Sequence, residues 1–350
     1  MAKISLIEDD SLEQVENTVA DPLDQYVYMD STKEVLRIAL ETDTNVILYG
    51  KGGHGKSELS LDFLRSRGIE PFVLTMGSGM NTDRLFGGLN LLEFNKTGKL
   101  EYLVENSFMN QEYVIFEELF DAPDFILEQL KDILSSKIFR NGSQMFEIKT
   151  KMIICNTNKT RGEFSKNNSL AALMERFPIE NEVKWEDYNR ITYENLLNKT
   201  LGFADPLLCY TLEKFAFENY VISPRIAIKA ATLIGQFGPD CLLFIADFAA
   251  NTKLLGQCIK EFKDLDKINT LVSELSVLDN ELIKLSESDL DSDIAAVKNF
   301  SVKNKLFQSK IDQLTAVKVG DSNADNVAAK VKYFKDAVAK NQKLISLIMA

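Results

Sequence analysis

The sequence predicts an α/β fold in which helices flank a five-stranded parallel sheet, followed by a small all-helical domain and a C-terminal helical hairpin or bundle. Short apolar runs alternate with helical patterns up to about residue 184, as expected of parallel strands joined by crossover helices. Strand signals stop after Trp185, and helical periodicity continues from there. A chain of 350 residues is too long for one ordinary core, so we expect two or three domains.

Changes in this pattern divide the chain into four segments. They are an acidic N-terminal arm (1–25), a large α/β domain (26–184), a small helical domain (185–250) and a C-terminal helical extension (251–350).

The large domain carries the strand signals. Strands are predicted over Val46–Tyr49, Pro71–Thr75, Gln111–Glu118, Lys151–Asn158 and Ile179–Val183. Two hairpins are also predicted: one over Leu91–Tyr102, turning at Asn95–Gly98, and one over Lys137–Ile148, turning at Asn141-Gly142.

Helices of the large domain are predicted from apolar spacing and capping residues. Ser31 is placed to cap a helix over Thr32–Thr42. Pro123 opens a helix over Asp124–Ser136, and Leu170–Met174 forms a short helix.

The rest of the chain is predicted to be helical. The small domain shows helical patterns over residues 187–199, 205–219, 223–236 and 239–250. Beyond residue 250, apolar residues recur at three-and-four spacing at Leu265, Ile268, Val272, Leu275, Leu282 and Leu285. Turn-like breaks at Asp289–Asp293 and Gly320–Asp325 indicate a hairpin or a three-helix bundle. Such a bundle could pack only against the rest of its own chain, or it could serve as an oligomerisation or partner-docking arm.

Composition and charge exclude some classes of protein. The sequence has no apolar run of about 18 residues and no signal-peptide pattern, so we expect no membrane insertion. Four widely spaced cysteines without a C-x-x-C pair indicate reduced thiols and a cytoplasmic protein, or one acting in the cytoplasm of an infected cell.

Residues 251–350 carry 15 basic and 14 acidic side chains, whereas the remainder carries 25 and 38, a net charge of −13. Such an acidic body disfavours general nucleic-acid binding.

A glycine-rich stretch between a strand and a helix predicts a phosphate site. Residues 50–57 fit the pattern G-x-x-x-x-G-K-[ST]. The glycines allow successive N–H groups to turn toward one anion, and the following helix adds its positive end. In this pattern Lys56 reaches the β- and γ-phosphates and the Ser57 hydroxyl holds Mg²⁺. The predicted nucleotide-binding residues are Gly50, Lys51, Gly52, Gly53, His54, Gly55, Lys56, Ser57 and Glu58.

Polar groups end the next two long strands. Glu117 and Glu118 follow an apolar strand that we expect beside the strand before the glycine loop. The first carboxylate would hold Mg²⁺ through water, and the second would orient the attacking water. Asn158 ends the following strand, where it could hold the same water or the γ-phosphate; an ordinary turn residue is the alternative.

Two arginines follow in positions that suit a nucleotide between subunits. Arg176 could reach a neighbour's γ-phosphate, and Arg225, at the start of a helix, could close onto the nucleotide. A surface salt bridge is the alternative for either one alone.

The order of these motifs along residues 25–250 resembles that of the AAA+ ATPases, and more narrowly that of the MoxR-like group. The segment Glu118–Pro123, the hairpin over Lys137–Ile148 and the helix after Ser223 resemble that group's acidic strand, its insert and its lid helix. The resemblance implies ATP and Mg²⁺ as ligands, with an adenine pocket near Tyr28 and Met29. It also implies these roles: Glu118 as catalytic carboxylate, Asn158 as sensor 1, Arg176 as arginine finger and Arg225 as sensor 2.

One residue departs from the family pattern, which usually has Asp-Glu where this chain has Glu117-Glu118. The extra methylene is expected to move the first carboxylate outward, so we expect hydrolysis that is slow but real. The loop also fits K-G-G-x-G-K-[ST], the deviant loop of ParA/MinD-like dimeric ATPases, with Lys51 as its first lysine. In that family the loop lies near the chain start and no lid follows.

The sequence therefore favours an ATP-driven, ring-forming ATPase, expected to be a hexamer, that remodels or assembles a protein partner in a chaperone-like manner. The resemblance implies a partner with a von Willebrand factor A domain. The alternatives are a ParA/MinD-like dimeric switch, a scaffold that uses ATP only to assemble, and a nucleic-acid motor, which the acidic body disfavours.

Overall fold

The computed structural model describes residues 21–80, 82–142, 144–164, 168–287, 294–317 and 321–348. The chain forms two compact units. The first comprises the described residues up to Asp187 with Asn195–Phe203 and Ser223–Arg225. The second comprises Tyr188–Glu194, Ala204–Ile222 and the residues from Ile226 onward.

A parallel five-stranded sheet forms the centre of the first unit, as the sequence predicts. Its strand order is β2-β5-β8-β1-β9, and two small antiparallel pairs, β3-β4 and β6-β7, lie outside it. The strands are β1 (Val46–Tyr49), β2 (Phe72–Thr75), β3 (Gly88–Leu89), β4 (Tyr102–Leu103), β5 (Tyr113–Glu117), β6 (Ile138–Asn141), β7 (Gln144–Glu147), β8 (Met152–Thr157) and β9 (Ile179–Glu182).

Helices cover both faces of this sheet. The helices of the first unit are α1 (Asp30–Glu41), α2 (Lys56–Arg65), α3 (Asp83–Phe86), α4 (Leu91–Thr97), α5 (Asp124–Ser136), α6 (Arg161–Phe164) and α7 (Asn168–Met174). Alternate side chains of each strand point to opposite faces. In β5, Ile115 packs in one core with α1 and α2, whereas Val114 and Phe116 pack in the other with α5 and α7. The sheet is therefore buried on both sides, which explains the continuous apolar runs in its strands.

The position of β5 corrects one expectation. We expect this strand beside β1, but β8 lies between them and pairs in parallel with both. In this register Asn156 lies opposite Leu48 on one side and Glu117 on the other. The carboxyl end of β8 therefore stands between the glycine loop and the two carboxylates.

Two local predictions for the large domain are wrong. The first helix begins at Asp30, one residue before Ser31, with Met29 as its N-cap and no side-chain cap. Its first turn is instead anchored by Thr32, whose hydroxyl accepts a hydrogen bond of 2.9 Å from Asn181.

Leu91–Tyr102 does not form a hairpin. The strands β3 and β4 pair on either side of it, and α4 lies between them. The Asn90 side chain accepts a hydrogen bond of 3.1 Å from the Glu93 N–H, and this cap starts the helix. The hairpin over Lys137–Ile148, by contrast, forms as β6 and β7.

The helices that follow are α8 (Arg190–Leu201), α9 (Pro206–Phe217), α10 (Pro224–Phe237), α11 (Ala246–Ala249), α12 (Thr252–Ser286), α13 (Ile294–Ala316) and α14 (Asp321–Ile348). The single helix predicted over 239–250 is two short pieces, a 3₁₀ helix over Pro239–Phe244 and then α11. The extended backbone of Ile245, with ψ of 120°, separates them.

Helices α12, α13 and α14 share one apolar core. Ile268, Leu275 and Leu282 of α12 are buried against residues such as Phe307 and Phe334. The apolar stripe predicted for α12 is thus covered within the bundle. The predicted break at Asp289–Asp293 lies outside the described residues, as does Gly320, but Asp321–Asp325 belongs to α14 rather than to a turn.

Within the described ranges, every helix is too short or too polar to cross a membrane.

The bundle core predicts a stability difference between two neighbouring residues of α13. Phe307 is fully buried and its ring lies 5.7 Å from that of Phe334, whereas Leu306 is 47% exposed. We expect Phe307→Ala to lower the free energy of unfolding of the second unit by about 3–5 kcal/mol and Leu306→Ala by less than about 1 kcal/mol. Hydrogen exchange of α12–α14 measures both, and equal loss of protection in the two variants would contradict the assigned core.

Candidate functional site

The glycine loop has the backbone that the phosphate-site pattern predicts. Gly50 has φ of +138°, and a Cβ there would collide with the carbonyl oxygen of Val183. Gly53 has φ of +77°, and a Cβ there would lie 2.6 Å from Ser223 Oγ. Glycine is therefore required at both positions for conformation and for space.

The loop runs directly into the N-terminus of α2. Gly55 is the N-cap residue in the left-handed conformation, and no side chain caps the helix. The N–H groups of the first turn, from Lys56 onward, have no carbonyl acceptor within the helix. Together with the helix dipole they form a site suited to an anion.

The Lys56 ammonium is folded into the loop. Its Nζ donates to the carbonyl oxygens of Gly50 (2.7 Å) and Lys51 (2.9 Å) and to Asn158 Oδ1 (2.9 Å). The residue is only 6% exposed. Burial lowers the pKa of Lys56 from its ordinary value, and the carboxylates of Glu118 and Glu117 oppose that shift. The three acceptors therefore hold the buried Lys56 ammonium group within the loop.

On the side of the loop toward β5, Ser57 contacts a carboxylate. Ser57 Oγ donates to Glu117 Oε2 over 2.6 Å. Because the hydroxyl proton points to Glu117, the oxygen lone pairs of Ser57 remain available to a cation. Glu117 Oε1 accepts a second hydrogen bond of 2.8 Å from Asn156 Nδ2.

The sequence reasoning missed Asn156. It stands in a buried strand among apolar residues, where nothing in its local pattern marks it. Only the register of β5 and β8, which places it opposite Glu117, reveals its contact.

The second carboxylate is bound to the end of β8. Glu118 has φ of +53° and ψ of +41°, a left-handed conformation that is uncommon for a side chain of this size. Its carboxylate accepts hydrogen bonds from the side-chain amide of Asn158 (2.5 Å) and from the Asn158 N–H (3.1 Å). The Asn158 amide therefore bridges Lys56 and Glu118, so these three predicted site residues are brought together.

Arg225 also contacts the loop. Its backbone N–H donates to the Gly53 carbonyl oxygen over 3.1 Å, and its guanidinium lies 2.7 Å from Glu58 Oε1. The Arg225 side chain is 60% exposed, so this ion pair is weak and can be exchanged for another anion.

Arg176 lies away from these residues. It precedes β9, and its carbonyl accepts a hydrogen bond of 2.8 Å from Asn45, which precedes β1. These positions mark the amino edge of the parallel sheet, opposite the edge that carries the glycine loop. The Arg176 Nε donates to Ser135 Oγ over 2.7 Å.

Aromatic residues surround the variable position of the loop. His54 is 4% exposed, and its ring lies 6.2 Å from that of Trp185 in an edge-to-face arrangement. The Tyr28 ring lies 5.8 Å from Trp185, and its hydroxyl accepts a hydrogen bond of 2.7 Å from Asn195. Met29 is buried, with its sulfur 3.7 Å from where a Cβ on Gly55 would lie.

These donors and acceptors fit a nucleotide with Mg²⁺. The loop offers backbone N–H groups and a buried ammonium for phosphate. The Ser57 and Glu117 side chains carry oxygen atoms of the kind that Mg²⁺ prefers, so Ser57 could bind the ion directly and Glu117 through water.

The environment of His54 predicts a pH dependence of stability. Burial lowers the pKa of His54 from its ordinary value, and the Gly52 carbonyl, 3.1 Å from Nδ1, opposes this only in part. Because the pKa in the folded state lies below the unfolded value of about 6.5, protonation favours unfolding. The contribution of neutral His54 to the free energy of unfolding should therefore be fully present above a pH of about 6.5 and should decrease as the pH falls below it.

His54→Phe keeps a ring against Trp185 but cannot be protonated. This is the only histidine in the chain, so we expect urea unfolding of the variant to vary less between about pH 7.5 and 5.5 than that of the wild type. Parallel pH profiles for the two proteins would show that His54 is not the group responsible.

Comparison with solved structures shows a similarity of low degree. NtrX from Brucella abortus aligns with 71% of this chain at 15% identity and a TM-score of 0.41, and the chain spans 64% of its length. NtrX in complex with ATP aligns with 63% of this chain and 53% of its own at 12% identity and a TM-score of 0.44. A single-residue variant of RuvB from Thermotoga maritima aligns with 72% of this chain and 78% of its own at 16% identity and a TM-score of 0.43. These values transfer no ligand or activity to this chain.

The family comparison is decisive. No curated protein matches the sequence. Residues 12–203 match the model of the MoxR domain in the MoxR-vWA-beta-propeller ternary systems. This match covers more than half of the chain and decides against a ParA/MinD-like protein. The chain belongs to the MoxR-like AAA+ ATPases.

Proposed function

We propose that this protein binds ATP with Mg²⁺ between the subunits of a ring, most simply a hexamer, and uses hydrolysis to remodel or assemble a protein partner. The observation that carries the proposal is the hydrogen-bonded chain from Lys56 through Asn158 to Glu118, beside the Ser57–Glu117 contact. It joins the phosphate loop to both carboxylates at one edge of the sheet.

In this proposal the loop N–H groups and Lys56 bind the phosphates. Lys56 must exchange one or more of its present acceptors, the Gly50 and Lys51 carbonyls and Asn158, for phosphate oxygens. Ser57 and Glu117 would hold Mg²⁺, with Glu117 acting through water. When bound, Mg²⁺ would neutralise charge on the β- and γ-phosphates.

Glu118 is the proposed general base. It would accept a proton from the attacking water, while Asn158 positions the γ-phosphate or that water. At present the Asn158 amide occupies one Glu118 oxygen. When Asn158 turns toward a γ-phosphate, that oxygen becomes available to water.

Two arginines would complete the site. Arg225 lies against the loop at Gly53 and would exchange Glu58 for nucleotide phosphate. Arg176 lies at the opposite edge of the sheet from its own subunit's loop, so it would act on a neighbour's γ-phosphate. Tyr28 and Met29 would lie on the adenine side of the loop.

The proposed partner follows from the family rather than from any contact in this chain. The matching family description names systems that combine MoxR with vWA and β-propeller components. A partner or adaptor with a von Willebrand factor A domain is therefore the first candidate, and we place the chaperone-like activity in the cytoplasm. Residues 26–184 and 185–250 would form the two ATPase domains, and 251–350 an extension of them.

Glu118→Gln tests the assignment of the base. The amide keeps the shape of the side chain but cannot accept the proton, so we expect hydrolysis to fall by about 10²–10⁴-fold while ATP binding persists. Glu128→Gln, an exposed change on α5, serves as the control. Release of phosphate and binding of a fluorescent ATP analogue measure the two effects. An unchanged rate in Glu118→Gln would remove Glu118 from this role.

Arg176→Ala tests the ring. Among the described residues its side chain hydrogen-bonds only to Ser135 and Glu175, so the variant should fold. We expect native mass measurement to show a ring for the wild type with ATP, and smaller species with ADP, without nucleotide, or in the variant. Loss of a neighbour's arginine should also slow hydrolysis by about 10³-fold or more. The surface variant Arg37→Ala is the control, and a wild type that stays monomeric or dimeric with ATP would contradict the ring.

A further inference from the structure

Both oxygens of the Glu117 carboxylate have a hydrogen-bond donor. Ser57 donates to Oε2 over 2.6 Å, and Asn156 donates to Oε1 over 2.8 Å. The two donors come from different elements, α2 and β8, so they fix the carboxylate from two directions. Ser57 belongs to the phosphate-loop pattern, whereas Asn156 does not.

Asn156 has a fixed orientation of its own. A carboxylate can only accept hydrogen bonds, so the Asn156 nitrogen must face Glu117 and its oxygen must face α2. There the Ser60 hydroxyl, which also donates to the Lys56 carbonyl oxygen over 2.8 Å, lies 3.2 Å from Asn156 Oδ1. Asn156 is 1% exposed and Ser60 is fully buried. A buried amide is costly to leave unpaired, so the bond to Glu117 and the longer contact with Ser60 together favour one rotamer of Asn156.

The length of Glu117 makes such support necessary. Glutamate has one more rotatable bond than the aspartate that the family usually carries there, and ordering it costs more side-chain entropy. The parallel register places Asn156 directly opposite Glu117, where its amide reaches the end of the longer chain. An aspartate, shorter by about 1.5 Å, would leave this donor out of reach.

We infer that Asn156 is a positioning residue that lets Glu117 serve as the metal-side carboxylate in place of aspartate. The inference rests on the proposed binding of Mg²⁺ with ATP at Ser57 and Glu117. Asn156 is almost completely buried, and it acts on the proposed metal site through Glu117, to which its amide donates. Removing its amide releases Glu117 into other rotamers and weakens the hold on Mg²⁺, and it leaves the phosphate loop intact.

A double-mutant cycle tests this relation. Asn156→Leu, which replaces the amide by an apolar group of similar size, is combined with Glu117→Asp. All proteins carry Glu118→Gln so that ATP is not consumed. The affinity for a fluorescent ATP analogue is measured at increasing Mg²⁺ concentrations. The readout is the Mg²⁺ concentration that gives half of the maximal increase in affinity. Asn181→Leu, which removes a similar amide from β9 where it contacts Thr32, is the matched control.

We expect Asn156→Leu to raise the half-saturating Mg²⁺ concentration by about 10-fold when Glu117 is present, since groups that orient a metal site from outside the ligand set commonly change metal affinity by this much. In the Glu117→Asp background the same change should alter it by less than about 2-fold, because the shorter carboxylate does not reach Asn156. Binding of the analogue without Mg²⁺ should be equal in all variants, and Asn181→Leu should match its parent.

Other outcomes separate the inference from the proposed function. If Asn156→Leu raises the half-saturating Mg²⁺ concentration equally with and without Glu117→Asp, Asn156 supports the fold rather than Glu117. If it raises that concentration in neither background, the inference is also overturned. If the parent binds the analogue without any dependence on Mg²⁺, the proposed metal site itself fails. Asn156→Ala, run in the same cycle, decides the question if the leucine variant does not fold.

Discussion

Parallel pairing of β8 between β1 and β5 is the constraint on which the site depends. It brings the ends of three strands to one edge, so that the glycine loop after Tyr49, the carboxylates at the end of β5 and Asn158 meet within hydrogen-bond distance. None of these contacts is local in sequence. The apolar cores on both faces hold the strands in this register, since a shift of one residue would turn Asn156 and Glu117 toward the opposite core.

The same geometry separates two kinds of predicted site residue. At the carboxyl edge the side chains of a single chain meet, namely those of Lys56, Ser57, Glu117, Glu118 and Asn158. Arg176 is held at the amino edge, beside Asn45 and Ser135. Its distance from its own loop is a property of the topology, because the segment before a parallel strand must start from the opposite edge.

Sequence reasoning recovered what is encoded by local pattern and missed what depends on partners. The glycine loop, all five sheet strands and the Asn141-Gly142 hairpin are local signals, and they form as predicted. Ser31 failed as a cap because the helix begins one residue before it, and a partly buried hydrogen bond between Thr32 and Asn181 anchors the first turn instead. The hairpin expected over Leu91–Tyr102 failed because Asn90 caps a helix there. The position of β8 and the contact of Asn156 required the strand order, which no single segment contains.

The packing of His54 on Trp185 has a practical consequence. The chain contains one tryptophan, and its ring lies against the variable residue of the glycine loop and against Tyr28. Intrinsic tryptophan fluorescence of the intact protein is therefore a single-site optical signal from the loop. No added label is needed to observe it.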